Sequence, residues 1–175
     1  CPTCEARFEL VGGNPDFRQP EADAASGATE SRGDAGGSES GGPAEEDAVI
    51  VAALIGIRDG RGLVVVGPGL DSAASRIGAL CGGCEVLWVG AAKDTTPATS
   101  LLGVSPESLP QLSATVRGEA LEKGDRQSIA EASRVLVPGG RLVLLRQRPD
   151  AASVVAGEAL ELIAEDARAI VARRI

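Results

Sequence analysis

The apolar positions change their period along residues 126–145. Ile129, Ala132, Val135 and Leu136 recur at steps of three and four, with Arg126, Glu131 and Arg134 elsewhere on the wheel, which predicts an amphipathic helix. Pro138 disfavours helical geometry at Val137, and Gly139 or Gly140 can take the positive φ that closes a helix. Leu142–Leu145 is then a short unbroken apolar run, as in strands covered on both faces. The same grammar recurs upstream. Pro43, Glu45, Glu46 and Asp47 suit a helix start, and apolar residues continue it from Val49 to Ile57. "DGRG" breaks this helix before "LVVVGPG" (63–69), a buried strand entering a Gly-rich turn. A second helix is predicted from Asp71, as N-cap, through Ala74, Ile77 and Leu80; "CGGC" ends it, and "EVLWV" (85–89) is the next strand. Weaker strand patterns lie at 100–104 and 114–121, around the loop "SPESLPQ". After Pro149, Leu160 and Leu162 alternate ahead of "EDAR" and "AIVARRI", which predicts a C-terminal antiparallel hairpin in preference to a helix. Strands alternating with helices define an α/β fold, a doubly wound and mostly parallel sheet. Such sheets bind ligands beyond the carboxyl ends of their strands, at the topological switch point.

Composition adjusts this outline at its N-terminal end. Residues 19–43 are Gly, Ser, Ala and acid, with five carboxylates against Arg32, so half of the chain's net charge of −8 falls on a segment with nothing to bury. The expected organisation is a small N-terminal element at 1–18, a flexible acidic linker at 19–43 and a folded domain at 44–175. No apolar run is long enough to span a membrane. The acidic balance makes nucleic acid an unlikely partner, because a phosphate grip needs clustered Lys and Arg. With no His and no Tyr among 175 residues, any general base must be a carboxylate, a Lys or a Cys.

The order of helix, "LVVVGPG", helix, "EVLWV", loop and "IAEASRVLVPGGRLVLL" resembles the class I S-adenosylmethionine-dependent methyltransferases, over roughly residues 45–175. The segment "A-x-RVL-x-PGGRLVL" is its most specific part. The resemblance implies a Rossmann-like domain finished by an antiparallel pair. It also implies S-adenosylmethionine as cofactor, with Gly67, Gly69 and Asp71 after the first strand and Gly90 after the second beside it. The acid expected to hold the ribose hydroxyls falls near Gly90 or Ala91, neither of which can accept a hydrogen bond through its side chain, and Asp94 lies further into the loop. Val65 and Val66 stand where the first strand of the family often carries an acid. Both departures predict weak or lost cofactor binding, and restoring an acid at Gly90 is expected to strengthen it.

"CPTCEARFELVGGNPDFR" is similar to the second half of a short zinc ribbon: a C-x2-C knuckle, a Phe, a strand and a Gly-x-Pro turn. Cys1 and Cys4 are the expected zinc ligands of this remnant, an incomplete site that binds weakly, because structural zinc takes four. The chain opens at Cys1 and is expected to be a fragment or a processed product. Cys81 and Cys84 form a second C-x2-C pair. They either join Cys1 and Cys4 in one tetrahedral site or fill a tight turn as small buried residues. A thioredoxin-like role is disfavoured, since that motif opens a helix and this one closes one. Glu119 is the best-placed candidate base, against a simpler reading as a solvated acid on a strand edge or loop, and no catalytic residue is assigned. Trp88 reads as a core aromatic.

The reading is therefore a methyltransferase-like protein, cytoplasmic, acting if active on an unidentified methyl acceptor or engaging a protein partner. The alternative is a non-catalytic interaction module on the same scaffold. A dinucleotide site ranks last, because "GPGLDS" lacks the third glycine of G-x-G-x-x-G.

Overall fold

The computed structural model describes residues 43–90, 113–146 and 151–175, with strand segments at 9–11, 14–16 and 100–102 and Leu109. The elements in chain order are β1 (Glu9–Val11), β2 (Asn14–Asp16), α1 (Pro43–Ile55), β3 (Leu63–Val66), α2 (Ala74–Leu80), β4 (Glu85–Gly90) and β5 (Ser100–Leu102). They continue as β6 (Val116–Leu121), α3 (Arg126–Val135), β7 (Leu136–Leu145), α4 (Ala151–Ala156), β8 (Leu160–Glu165) and β9 (Ala169–Arg174). The sheet order is β1-β2-β5-β4-β3-β6-β7-β9-β8. Strands β5, β4, β3, β6 and β7 run parallel, and β9 and β8 close the far edge antiparallel, which agrees with the expected hairpin. At the other edge β1 and β2 form a hairpin, with Asp16 of β2 opposite Leu102 of β5. From β3 the chain moves outward to β4 and β5, then returns to β6 on the other side. The switch point therefore lies between the carboxyl ends of β3 and β6.

Side-chain alternation along the central strands fills two cores, one on each face of the sheet. Val64, Val66, Trp88 and Ala120 pack beneath α1 and α2 with Val51, Ile55 and Ile77. Val65, Leu87, Val89 and Leu121 pack on the other face with Ile129, Ala132 and Val135 of α3 and Val155 of α4. These strands are buried on both sides, which is why they read as unbroken apolar runs.

Three local expectations are corrected. Helix α3 ends at Val135, and Leu136 is already extended at φ −63° and ψ 139°. Pro138 and the two glycines lie inside β7. Val116 pairs with Leu136 and Gly118 with Arg141, so β7 inserts three extra residues as a turn between those pairs. Gly139, at φ +80°, takes the third position of that Pro-Gly turn and does not cap the helix. Asp71 is not an N-cap: Asp71–Ala73 form a single 3-10 turn, preceded by Leu70, before α2 begins. The carboxylate that does cap a helix is Asp125, which accepts from the Ser128 amide at 2.8 Å. A short helix, α4, also stands ahead of the C-terminal hairpin.

Candidate functional site

The turn after β3 places the Gly-rich segment at the switch point. The Gly67 amide donates to the Ala120 carbonyl at 2.8 Å, so it continues the sheet ladder and is not turned toward a ligand. Leu70 closes the turn on the Gly67 carbonyl at 3.4 Å, over Pro68 and Gly69. Gly69 has φ +88°, as the third residue of a type II turn requires.

The other walls of this crevice are ionic. Glu122 follows β6, and its Oε2 occupies the position a Cβ on Gly69 would take. Arg146 follows β7 and donates to Glu122 Oε1 at 2.8 Å and to Asp47 Oδ2 of α1 at 2.9 Å. The hydrogen bond that it donates to Glu122, and then the charge of Asp47, hold the Arg146 guanidinium firmly protonated. Arg146 has φ 47°, an uncommon value for a residue with a side chain, which turns it back over the strand ends. One arginine thus ties α1, β6 and β7 together across the place where such a sheet binds its ligand.

Strand β4 ends at Gly90, and the structure shows what fills the space an acid would use there. Trp88 lies two residues earlier on the same face, and its Cζ2 is 2.8 Å from where a Cβ on Gly90 would stand. The indole is 1% exposed and belongs to the core under α1 and α2, as its sequence position suggested. Its Nε1 has no hydrogen-bond partner among the described residues. Ala91 and Asp94 lie outside the described residues. The Gly-rich turn, the switch point and the parallel sheet fit S-adenosylmethionine in outline. At two of these strand ends side chains take up the space: Trp88 against Gly90, and Glu122 against Gly69.

Glu119 is neither a solvated acid nor a base within reach of a substrate. It sits in mid-β6, paired with Val65 on one side and Leu142 on the other, and is fully buried. Neither carboxyl oxygen has a hydrogen-bond partner among the described residues. Burial, with a smaller contribution from the Glu131 carboxylate, pushes its pKa up to about 8. Glu131 itself stays ionised because Arg134 donates to it at 2.7 and 2.8 Å, and it accepts the Leu109 amide at 2.8 Å.

Cys81 and Cys84 are buried free thiols, close to each other at the turn after α2. Burial, reinforced by the neighbouring sulfur, pushes Cys81 up to about 11, and burial also raises Cys84. Among the described residues no three His, Cys, Asp or Glu side chains cluster to hold a metal. Cys1 and Cys4 lie outside the described residues. The sequence reading placed Gly67, Gly69 and Gly90 at the strand ends, and the structure gathers them there. It missed Asp47, Glu122 and Arg146. Only Glu122 carried a usable signal, as the first residue after a strand that borders the switch point.

This sheet, with its antiparallel finish, has the fold of the class I S-adenosylmethionine-dependent methyltransferases. Geranyl diphosphate C-methyltransferase from Streptomyces coelicolor A3(2) is similar to this chain at TM-score 0.56 and 14% identity, over 69% of this chain and 59% of that one. A SAM-dependent O-methyltransferase from Thermotoga maritima is similar at TM-score 0.55 and 11% identity, over 74% and 65%. The [4+2]-cyclase SpnF is similar at TM-score 0.56 and 15% identity, over 68% and 57%. The chain spans about three fifths of the Streptomyces enzyme's length. No protein-family model and no curated protein sequence matches the chain. No helix among the described residues is long and apolar enough to cross a membrane.

Proposed function

We propose that residues 44–175 form a methyltransferase-like domain whose binding of S-adenosylmethionine is weak or lost. The observation that carries this reading is the end of β4, where Gly90 offers no carboxylate and Trp88 fills the space beside it. A missing charge-assisted contact to two ribose hydroxyls costs on the order of 2–3 kcal/mol, enough to move a micromolar ligand toward millimolar. Glu122 over Gly69 adds a steric cost on the methionine side.

In the same reading, residues 1–18 are a zinc-ribbon remnant joined through a flexible linker at 19–43 to a cytoplasmic protein. The strand Glu9–Val11 supports the remnant, because such a ribbon carries a strand after its knuckle; Asn14 and Pro15, expected in its turn, lie in β2. Its Cys1 and Cys4 bind zinc weakly. Any methyl acceptor is a small molecule or a protein; the net charge of −8 disfavours nucleic acid. If the cofactor does not bind, the domain serves as a non-catalytic interaction module. The inclusion of a [4+2]-cyclase among similar structures supports separating this fold from one chemistry.

Equilibrium dialysis of labelled S-adenosylmethionine and S-adenosylhomocysteine tests the proposal. The expected outcome is no saturable binding at low micromolar concentration. Low-micromolar binding of either ligand overturns the weak-binding reading and leaves the methyltransferase reading in place.

A further inference from the structure

The amino-terminal edge of the sheet, opposite the switch point, carries a cavity of about 230 Å³. The end of α1 and the Pro138–Gly140 turn of β7 wall it, and Arg117 and Arg141 line it from adjacent strands. The inserted turn creates one wall: without its three extra residues β7 would run flat along β6. Gly139 points its open side outward, with no atom within 4 Å of where a Cβ would stand.

The charge of the two arginines is only partly answered. Arg117 donates from Nη1 to both Asp59 oxygens, at 2.7 and 2.9 Å, and to the Arg61 carbonyl at 2.9 Å. Arg141 donates from Nη1 to the Leu54 carbonyl at 2.9 Å, and no carboxylate pairs with it among the described residues. Two guanidiniums against one carboxylate leave a net positive cavity on a chain of net charge −8. Each guanidinium has five N–H donors in a planar fork, so donors remain on both after these bonds are made. Paired forks of this kind match the oxygens of a tetrahedral anion. The cavity is smaller than those that enclose drug-sized ligands.

We propose that this cavity binds the phosphate group of a small phosphomonoester, held between the Arg117 and Arg141 forks. The site is separate from the switch-point crevice and does not depend on whether that crevice binds a cofactor.

The test is a titration of the full chain with inorganic phosphate and then methyl phosphate, at ionic strength held constant with sodium chloride. Sodium acetate provides a parallel arm, and the readout is the NMR signals of the arginine Nε–H groups. Both phosphates are expected to shift the Arg117 and Arg141 signals saturably, with acetate and chloride giving no saturation. Val137→Glu places a carboxylate on the cavity wall without removing either arginine, and should weaken phosphate binding by about tenfold or more. Arg141→Lys, which keeps the charge and loses the fork, should weaken it as well. The proposal is overturned if neither arginine signal saturates, if acetate does as well as phosphate, or if folded Val137→Glu binds like the parent.

Discussion

Trp88 and Gly90 share one face of β4, and the indole Cζ2 lies 2.8 Å from the place a Cβ on Gly90 would occupy. The spacing of two residues allows this, because i and i+2 point the same way along a strand and the indole is long enough to reach. The absence of an acid at the end of β4 is therefore coupled to the core. A large aromatic has grown into the volume, and glycine is the residue that lets it stay.

Sequence alone predicted that Gly90→Asp would strengthen cofactor binding; the geometry reverses that expectation. The aspartate must displace a buried indole, an overpacking that costs about 1–3 kcal/mol. Urea denaturation should show the loss, and calorimetric titration with S-adenosylmethionine should show no gain. Trp88→Leu combined with Gly90→Asp should recover part of the stability and bind better than either single variant. A Gly90→Asp protein with parental stability and tighter binding would show that the indole is no obstacle.

Glu122→Ala removes the carboxylate that stands over Gly69 and leaves Arg146 paired with Asp47 alone. Arg146 is half-exposed, so loss of the ion pair should change stability little. Binding of S-adenosylmethionine should improve by several-fold, measured by equilibrium dialysis. Unchanged binding in a well-folded Glu122→Ala protein would mean that the carboxylate does not limit access to the turn.

Glu119 links stability to pH in the direction opposite to an ion-paired acid. Its pKa is raised from 4.5 to about 8 in the folded chain. Unfolding therefore releases a proton between these values. The contribution of the protonated group is complete below pH 4.5, falls as pH rises, and is lost by about pH 8. At neutral pH the penalty is on the order of 3 kcal/mol, and Glu119→Gln should recover much of it. Melting temperatures of both proteins across pH 5–8.5 should diverge as pH increases. Parallel curves would show that Glu119 ionises normally within the fold.

The strands and helices of the domain were legible because each central strand is covered on both faces and each helix on one, so burial writes a clear period into the sequence. The turn in β7 was not, because Pro-Gly-Gly satisfies a helix stop and a strand insertion equally well. Only the pairing of Gly118 with Arg141 separates the two. Gly67, Gly69 and Gly90 were placed correctly at strand ends by order alone. What occupies the space beside them was hidden, since Glu122 reaches Gly69 across 53 positions and Arg146 reaches Asp47 across 99. Contacts at that separation leave no periodicity to read. Glu119 was misread for a related reason: a carboxylate inside a strand carries no mark of whether its neighbours are water or leucine.

Cys81 and Cys84 are buried free thiols, and burial keeps both protonated well above neutral pH, with Cys81 pushed up to about 11. Reaction with iodoacetamide and binding of metal both need the thiolate, so this pair should do neither while the domain is folded. Peptide mapping after brief labelling at pH 7.5 should find Cys81 and Cys84 unmodified in native protein and modified in urea. A strong chelator should leave the melting temperature unchanged, because the two cores are built from apolar contacts. Cys84→Ser should cost about 1 kcal/mol by placing a hydroxyl where a sulfur packs. The opposite result is specific: one tightly held zinc per chain, lost together with core stability and abolished by Cys84→Ser. That outcome would mean that Cys81 and Cys84 join Cys1 and Cys4 in a single four-thiolate site, and that metal, not packing, closes the turn after α2.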